Sequence, residues 1–317
     1  METLDNGVIE YFDADDQLCK VTIPPTQTYQ LEADPDHALQ YLSAASELTV
    51  WIHEGRPHRD PDADGQVGPA VSCQDYQMWF RHGRRHRDPG AGPAIIYTDG
   101  SRHTEYWVDG VRHRPADADG TELPAVSREK ESRLEWWRHG LLHREVGPAV
   151  IDMEAGQREW YHHGQLHRCP DADGTEMPAV ENDSGYQAFF IDGEYHRDRG
   201  PAIITENWRE VFYQHGVVHR LDGPAVIDPE NNAKEWWCHG RRHRDPDKNG
   251  ITGPALEYGD GSLEWYRHGQ LHRQDGPAQE YADGREEYWL DDQWYPGIEA
   301  WEQAKLVQAG KTENMLG

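Results

Sequence analysis

Short apolar segments alternate with polar turns along most of the chain. Residues 265–278 show the pattern in full: an aromatic pair, a His-Gly turn, a His-Arg dipeptide and then Gly-Pro-Ala. In other copies Asp-Gly replaces His-Gly. The alanine of Pro-Ala begins a short apolar run, as in residues 149–151. The His-Arg dipeptide occurs nine times, at intervals of 23 to 30 residues. Such a recurring period predicts an array of repeats instead of one globule.

Each repeat predicts β-strands joined by tight turns. Aromatic pairs have high strand propensity, and a two-residue turn ending in Gly suits a hairpin that needs positive φ. Pro lacks an N–H, so Gly-Pro-Ala predicts a bend and then a new strand. Because one hairpin buries too little apolar surface by itself, the hairpins must stack.

We therefore expect an all-β fold: an elongated antiparallel meander or solenoid of about nine to ten stacked β-hairpin repeats, with short terminal caps. At two strands per repeat and ~4.8 Å per strand, nine repeats would extend roughly 85 Å.

The two ends of the chain predict caps with a small helix at each end. Residues 7–12 look like a repeat without a His-Arg pair, and residues 37–45 have apolar positions at helical spacing. Residues 298–308 predict a second helix that ends at Gly310 and covers the last hairpin. The expected domains are an N-terminal cap with a degenerate repeat (1–47), a hairpin repeat array (48–295) and a C-terminal capping helix with a tail (296–317).

The repeat resembles the MORN motif, a short hairpin unit with an aromatic start, an Asn-Gly-Lys turn, His-Gly and Asp-Gly. Residues 160–167, Trp-Tyr-His-His-Gly-Gln-Leu-His, match its front half, and Arg168 stands where that motif has Gly. The chain is also similar to hairpin-repeat proteins predicted in bacteriophage genomes, which often finish with a half-repeat and a short helix. The resemblance covers about residues 50–295. The resemblance implies a meandering antiparallel sheet that acts as a scaffold and binds protein partners. The replacement of the motif's His-Gly by His-Arg, and the acidity of the chain, disfavour lipid contact.

Composition limits the classes of partner and the cellular location that we expect for this protein. The chain has 317 residues, 36% of them hydrophobic, and its 13 Trp and 15 Tyr argue against disorder. The net charge of −27 repels nucleic acid and anionic membranes and favours a protein partner with a basic surface. Since no apolar stretch approaches the roughly 18 residues of a membrane helix and residues 1–16 are acidic, we expect a cytoplasmic protein, in a host cytoplasm if phage-encoded. Four scattered cysteines without a CxxC pair predict reduced thiols.

We interpret the His-Arg pairs as a structural motif, because an active site is needed once whereas this dipeptide recurs in every repeat. We expect each Arg to stack on an aromatic ring of a neighbouring hairpin and to bind turn carbonyls, and each His to bind a turn backbone. A metal-binding or catalytic histidine ladder is the alternative, although no Glu-x-x-His or His-x-His spacing accompanies it. The pairs, which number the repeats one to nine, are His58-Arg59, His86-Arg87, His113-Arg114, His143-Arg144, His167-Arg168, His196-Arg197, His219-Arg220, His243-Arg244 and His272-Arg273.

A second set of histidines lies in the tight turns and would replace the Asn of an Asn-Gly turn. These are His82, His139, His163, His215, His239 and His268. A third hypothesis for the histidines as a whole is that their protonation regulates assembly.

Six-residue Asp-rich insertions interrupt repeats one, three, five and eight and are the candidate partner-binding or metal loops. Their candidate residues are Asp60, Asp62, Asp64, Asp117, Asp119, Asp171, Asp173, Asp245, Asp247 and Asn249. Alternating carboxylates before a Gly open a calcium loop, but Val71, Val126, Val180 and Leu256 stand where the closing Glu is due. The same residues also favour Asx-turns at an extended hairpin end, or an acidic edge that meets a partner. We therefore expect no cofactor, with weakly bound calcium as the alternative.

The function that we expect is a non-enzymatic acidic repeat scaffold that binds a protein partner along its length. Gly-rich phosphate loops, Gly-x-Ser-x-Gly and His-Glu-x-x-His are all missing from the sequence. A sharper hypothesis is a phage-encoded antagonist that imitates nucleic acid, with about one charge per ~3 Å against one per ~1.7 Å in duplex DNA. The alternative is a metal-stabilised structural solenoid with weak calcium sites. An exposed edge strand could also pair two copies into a homodimer.

Overall fold

The computed structural model describes residues 1–15, 17–25, 27, 29–30, 41–42 and 46–315. The chain divides into two compact units, Met1–Gln165 and Leu166–Gly317, called the N-terminal unit and the C-terminal unit below. The domain boundaries predicted at residues 47 and 295 stay predictions.

The N-terminal unit is an antiparallel meander in which each strand pairs with the next meander strand along the chain. Its meander strands are Glu2–Thr3, Ile9–Phe12, Leu18–Ile23, Leu48–His53, Val71–Ser72, Tyr76–Met78, Ile95–Tyr97, His103–Glu105, Val126–Arg128, Arg133–Glu135, Val150–Asp152 and Gln157–Glu159. Short 3₁₀ turns occur at Pro89–Ala91 and Glu129–Glu131.

Two-stranded hairpins separate from this meander once per repeat. They pair Leu48–His53 with Arg56–Pro57, Phe80–Arg81 with Arg84–Arg85, Trp107–Val108 with Val111–Arg112, and Trp137–Arg138 with Leu141–Leu142. Tyr161–His162 and Gln165–Leu166 are also strands, and Tyr29–Gln30 pairs with Tyr41–Leu42.

The first aromatic residue of a repeat is the point at which the chain leaves the meander. At Trp79 the backbone N–H donates to the Ala94 carbonyl at 2.8 Å, while the Trp79 carbonyl accepts the His86 N–H at 3.0 Å. Trp79 thus lies between Tyr76–Met78 in the meander and Phe80–Arg81 in the hairpin. A complete repeat contains four short strands, so the predicted two strands per repeat hold for the meander, and the separate two-stranded hairpin was not predicted. The sequence hides the break because an aromatic pair looks like one continuous strand.

The C-terminal unit repeats this plan. Its meander strands are Val180–Asn182, Gln187–Ala188, Ile203–Ile204, Glu210–Val211, Val226–Asp228, Ala233–Glu235, Leu256–Glu257, Leu263–Glu264, Gln279–Glu280 and Glu286–Leu290. Its hairpins pair Phe190–Ile191 with Glu194–Tyr195, Tyr213–Gln214 with Val217–Val218, Trp237–Cys238 with Arg241–Arg242, Tyr266–Arg267 with Gln270–Leu271, and Glu286–Leu290 with Gln293–Tyr295. Both units therefore confirm the predicted all-β antiparallel meander of hairpin repeats.

The alanine of Pro-Ala forms the regular part of the core. It is at most 1% exposed in all nine repeats, at Ala70, Ala94, Ala125, Ala149, Ala179, Ala202, Ala225, Ala255 and Ala278. Its backbone is fully paired: the Ala94 N–H, for example, donates to the Glu105 carbonyl at 2.8 Å. A larger apolar cluster around Val21, Leu48 and Phe80 supplements this thin core near the N-terminus.

The predicted N-terminal helix over residues 37–45 lies mostly outside the described residues. Its two described residues, Tyr41–Leu42, form a strand paired with Tyr29–Gln30, so the helix prediction is wrong there. Helical spacing over so few residues is a weak signal, and cross-strand backbone hydrogen bonds override it.

The C-terminal helix spans Ile298–Met315 and packs against the last hairpin, as predicted. Trp301 is 3% exposed, and its ring lies 5.4 Å from that of Tyr288 between centroids. The helix continues through Gly310, where we expected it to end, because a Gly within a helix costs only about 1 kcal/mol. Among the described residues, no helix has the length and apolarity required to cross a membrane.

Candidate functional site

Each motif histidine joins its repeat to the next one through a single ring nitrogen. His143 shows the geometry: its Nδ1 accepts the backbone N–H of His163, the turn residue of the following repeat, at 3.1 Å. The same bond, at 3.1–3.3 Å, joins His58 to His82, His86 to Asp109, His113 to His139, His143 to His163, His167 to Asp192, His196 to His215, His219 to His239, His243 to His268, and His272 to Asp291.

The turn conformation explains why this bond recurs. The nine turn residues that donate have φ between 47° and 53°, the left-handed region that a tight two-residue hairpin requires. The following N–H then bonds the preceding repeat as well: Gly164, for example, donates to the Leu142 carbonyl at 2.9 Å. The histidine thus satisfies a backbone donor that would otherwise have no partner at the hairpin tip.

The hydrogen bond also sets the protonation state of the ring. Where Nδ1 accepts only the backbone N–H, the neutral imidazole must carry its proton on Nε2. In His86, His167 and His272, Nδ1 also lies 2.9–3.2 Å from the carboxylate of the turn aspartate. In His143 and His196 this Nε2 faces the carboxylates of Glu145 and Asp198 at 3.1 and 3.0 Å. Burial lowers the pKa of His113 and of His219, and the neighbouring turn histidine lowers each further. The neutral form of the His113 and His219 rings is therefore favoured.

Two side-chain groups of the described residues bring three metal-ligand atoms within 4.8 Å of one another. They are His143, His162 and His163, and His219, Cys238 and His239. In both groups the motif histidine already uses Nδ1 to accept a backbone N–H, so a metal on Nε2 would displace its proton or break the bond between repeats. This geometry disfavours the metal-binding histidine ladder.

The motif arginine stacks within its own repeat, and not on a neighbouring hairpin as predicted. The Arg144 guanidinium carbon lies 3.9 Å from the centroid of the Trp136 ring, and its Nη1 donates to the Pro148 carbonyl at 3.1 Å. Both partners belong to repeat four, because the hairpin folds back on itself and the His143 N–H donates to the Trp136 carbonyl at 3.0 Å. Equivalent stacks at 3.8–4.8 Å join Arg59 to Trp51, Arg87 to Trp79, Arg114 to Tyr106, Arg197 to Phe189, Arg220 to Phe212, Arg244 to Trp236 and Arg273 to Trp265.

The bond from the arginine Nη1 to the proline carbonyl also recurs. At 2.9–3.4 Å it joins Arg59 to Pro69, Arg87 to Pro93, Arg114 to Pro124, Arg144 to Pro148, Arg168 to Pro178, Arg197 to Pro201, Arg220 to Pro224, Arg244 to Pro254, and Arg273 to Pro277. Stacking between hairpins falls instead to other arginines: Arg112 lies 5.1 Å from the rings of both Trp107 and Trp137.

Sequence reasoning missed a set of glutamates that precede the aromatic pairs, of which Glu105 and Glu135 are buried. Glu135 is 5% exposed and accepts bonds from Trp137 Nε1 and Arg133 Nε, each at 2.9 Å. Burial by itself would raise the pKa of Glu135, but these bonds and the charge of Arg128 together lower it. Glu105 makes the same contact with Trp107 at 2.8 Å. The available signal was a Glu directly before the aromatic pair, at Glu105, Glu135, Glu159, Glu235, Glu264 and Glu287.

The four Asp-rich loops use their carboxylates to hold their own backbone. Asp62 Oδ1 accepts the N–H groups of Asp64 and Gln66, at 3.1 and 2.8 Å. Asp247 Oδ1 does the same for Asn249 and Ile251, at 2.8 and 2.9 Å, and these bonds lower the pKa of Asp247. In the other two loops the acceptors are Asp117 and Asp119 for Thr121, and Asp171 and Asp173 for Thr175.

These are Asx-turns, in which the carboxylates accept backbone N–H groups of their own loop. Asp60 and Asp245 lie apart from them and face the Nε2 atoms of His58 and His243 at 3.1 and 3.0 Å. Among the described residues, none of these aspartates belongs to a group of three convergent metal ligands.

The second half of each of these loops contacts the next repeat. Trp136 Nε1 donates to the Glu122 carbonyl at 3.1 Å, while the Glu122 carboxylate accepts the N–H groups of Glu145 and Val146. Glu176 accepts those of Asp198 and Arg199 in the same way. The sequence signal for the glutamate contacts is Thr-Glu-x-Pro-Ala, which only the loops of repeats three and five contain. Beside these contacts an open groove of about 740 Å³ runs between repeats three and four, lined by Arg114, Glu122 and Trp137 among others.

Comparison with known proteins adds no family to this geometry. A scan against protein-family models finds no match, and no curated protein is significantly similar to the chain. The MORN resemblance therefore stays a prediction.

Proposed function

We propose that this protein is a non-enzymatic acidic scaffold that binds a protein partner carrying a basic surface. The observation that carries the proposal is that each Asp-rich loop is exposed and ordered by its own aspartate side chains, such as Asp62 and Asp247. A carboxylate held in an Asx-turn loses little conformational freedom when a cation approaches, so it binds at low entropic cost. The net charge of −27 adds long-range attraction for a basic partner.

A binding role also agrees with how the histidines are used. A general base needs a ring nitrogen that can take a proton from a substrate. The Nδ1 atoms of all nine motif histidines accept backbone N–H groups, and four of their Nε2 atoms face carboxylates at 3.0–3.1 Å. Protonation of these rings would break bonds between repeats, which makes them poor catalysts and good structural elements.

The specific form that we propose is imitation of nucleic acid, in which the partner is a DNA-binding protein. Carboxylates fixed in Asx-turns would occupy the Lys and Arg side chains that otherwise contact phosphates. The similarity to bacteriophage hairpin-repeat proteins supports an antagonist of a host protein. If the protein imitates nucleic acid, duplex DNA and the acidic scaffold should compete for one site on the partner. An electrophoretic mobility assay measures this competition.

The experiment that tests the scaffold is affinity capture at low and high salt, followed by titration of the captured partner against charge variants. Replacing Asp by Asn keeps the Asx-turn acceptor and removes the charge, so a quadruple variant should fold normally and bind more weakly. It carries Asp62→Asn, Asp117→Asn, Asp171→Asn and Asp247→Asn. The matched control removes the same number of charges outside the loops, with Glu2→Gln, Asp5→Asn, Glu299→Gln and Glu302→Gln.

We expect the loop variant to lose about tenfold or more in affinity and the control variant to lose much less. A partner whose affinity is insensitive to salt, or that binds both variants equally, would contradict the proposal.

A further inference from the structure

One meander turn of the C-terminal unit places a tryptophan where related turns place glycine. Turns of this type end in a residue with positive φ whose N–H closes the turn, here Gly185, Gly261 and Gly284, with φ of 99°, 94° and 85°. Asn232 takes the position in another turn, with φ of 47°. In repeat six the residue is Trp208, with φ of 62°, and its N–H donates to the Thr205 carbonyl at 2.9 Å.

Tryptophan is an unfavourable residue for this backbone. A left-handed conformation is nearly free for Gly and tolerable for Asn, but it is a genuine outlier for a bulky side chain. Burial does not compensate, since Trp208 is 73% exposed, the highest value among the tryptophans that the structure describes. Among the described residues, no contact shows that the exposed indole stabilises the fold and so offsets the strain in the backbone. Strain of this kind marks sites kept for binding.

The flanking turns hold this strained turn in place from both sides. Asn182 and Ser184, in the preceding turn, both donate to the carboxylate of Glu206, at 3.3 and 2.5 Å. These bonds lower the pKa of Glu206, which therefore stays ionised. In the following turn, Glu230 accepts a bond from Asn207. Trp208 is thus presented by an ordered turn, with one carboxylate two residues before it and another bound to its neighbour.

An exposed indole next to carboxylates fits an arginine side chain. The guanidinium can stack on the ring face while it pairs with a carboxylate, a combination that a lysine ammonium reproduces poorly because it is compact and strongly hydrated. Tryptophan is also the residue type most enriched among those that dominate binding energy at protein interfaces.

We propose that Trp208, flanked by Glu206 and Glu230, is the anchor that docks an arginine of the basic partner. The inference rests on the proposed function as an acidic scaffold, and adds that arginine, and not positive charge in general, is recognised at this turn. The Asp-rich loops attract the partner, and Trp208 fixes where it binds.

The test uses two synthetic probes, a peptide of nine arginines and one of nine lysines, against the full-length chain. Tryptophans are labelled with 5-fluorotryptophan, and the Trp208 ¹⁹F signal is identified by its loss in Trp208→Gly. Gly suits the left-handed backbone, so this variant should melt no lower than the wild type. Asn232→Gly is the matched control, because it makes the same change at the equivalent position of the next turn.

We expect the arginine peptide to shift the Trp208 signal more than the other tryptophan signals, and Trp208→Gly to weaken its binding by about tenfold. The lysine peptide should bind the wild type and the Trp208→Gly variant alike, and Asn232→Gly should behave as the wild type. Equal binding of the arginine peptide by wild type and Trp208→Gly, or an unmoved Trp208 signal, would overturn the anchor and leave the acidic scaffold standing. Equal dependence of both peptides on Trp208 would overturn its selectivity for arginine. If neither peptide binds the wild type, the scaffold proposal and the anchor both fail.

Discussion

The Nδ1 atom of His219 accepts the backbone N–H of His239, in the next repeat, at 3.1 Å. His219 is 7% exposed and the bond is partly buried, so His219→Ala would remove a buried ring and leave that N–H without its partner in the preceding repeat. We expect a loss of about 1–3 kcal/mol in the free energy of unfolding, measured by urea denaturation. His219→Asn should recover part of it, because the amide oxygen can take the place of Nδ1.

The turn residue supplies the control. The His239 side chain is exposed, and only its left-handed backbone is needed for the bond to His219. Asn is well suited to that conformation, so His239→Asn should change the free energy of unfolding by less than about 0.5 kcal/mol. Equal losses in His219→Ala and His239→Asn would show that the ring nitrogen is not what joins the repeats.

Stability should fall as the solution is acidified from pH 7.5 to pH 5. Burial lowers the pKa of His86, His113, His219 and His272 in the folded protein, so the unfolded chain binds protons more readily. Their contribution is complete above the unfolded pKa of about 6.5 and is lost as the pH falls through the lower folded values. Melting temperatures across this range measure it, and His219→Asn should show a smaller decrease. A melting temperature that is constant over this range would contradict the prediction.

Arg144→Lys should destabilise the protein although it preserves the charge. The lysine cannot both stack flat on Trp136 and donate to the Pro148 carbonyl, as the guanidinium does at 3.9 and 3.1 Å. We expect a loss of about 1–2 kcal/mol by urea denaturation. Arg138→Lys is the control, because its partner Glu145 is an exposed surface residue, and it should cost less than about 0.5 kcal/mol.

Calcium at a few millimolar should shift the melting temperature by less than about 1 °C, because the loop aspartates already accept backbone N–H groups. Asp247→Ala should lower stability by about 1 kcal/mol through loss of the Asx-turn, whereas Asp247→Asn should not. Scanning fluorimetry with calcium and with a chelator distinguishes these outcomes. A calcium-dependent rise of several degrees that Asp247→Asn abolishes would favour the metal-stabilised solenoid.

Sequence periodicity was enough to predict the repeats and their tight turns, because a turn with positive φ has a narrow choice of residues. The same reasoning failed at Trp79, where the strand changes partners in the middle of an aromatic pair. It also failed for Arg144, which stacks on Trp136 of its own repeat. Both outcomes depend on which strand lies beside which, and local spacing does not specify that.

The sequence by itself determined an acidic, all-β chain of hairpin repeats, because turn chemistry and hydrophobic pattern act over a few residues. Only the tertiary structure showed that His219 uses Nδ1 to hold the next repeat, that Glu135 is buried and accepts a bond from Trp137, and that Trp208 stays exposed on a strained turn. Each of these facts depends on which strands and turns lie beside one another, because the neighbouring elements decide whether a polar group is satisfied or an aromatic ring is covered.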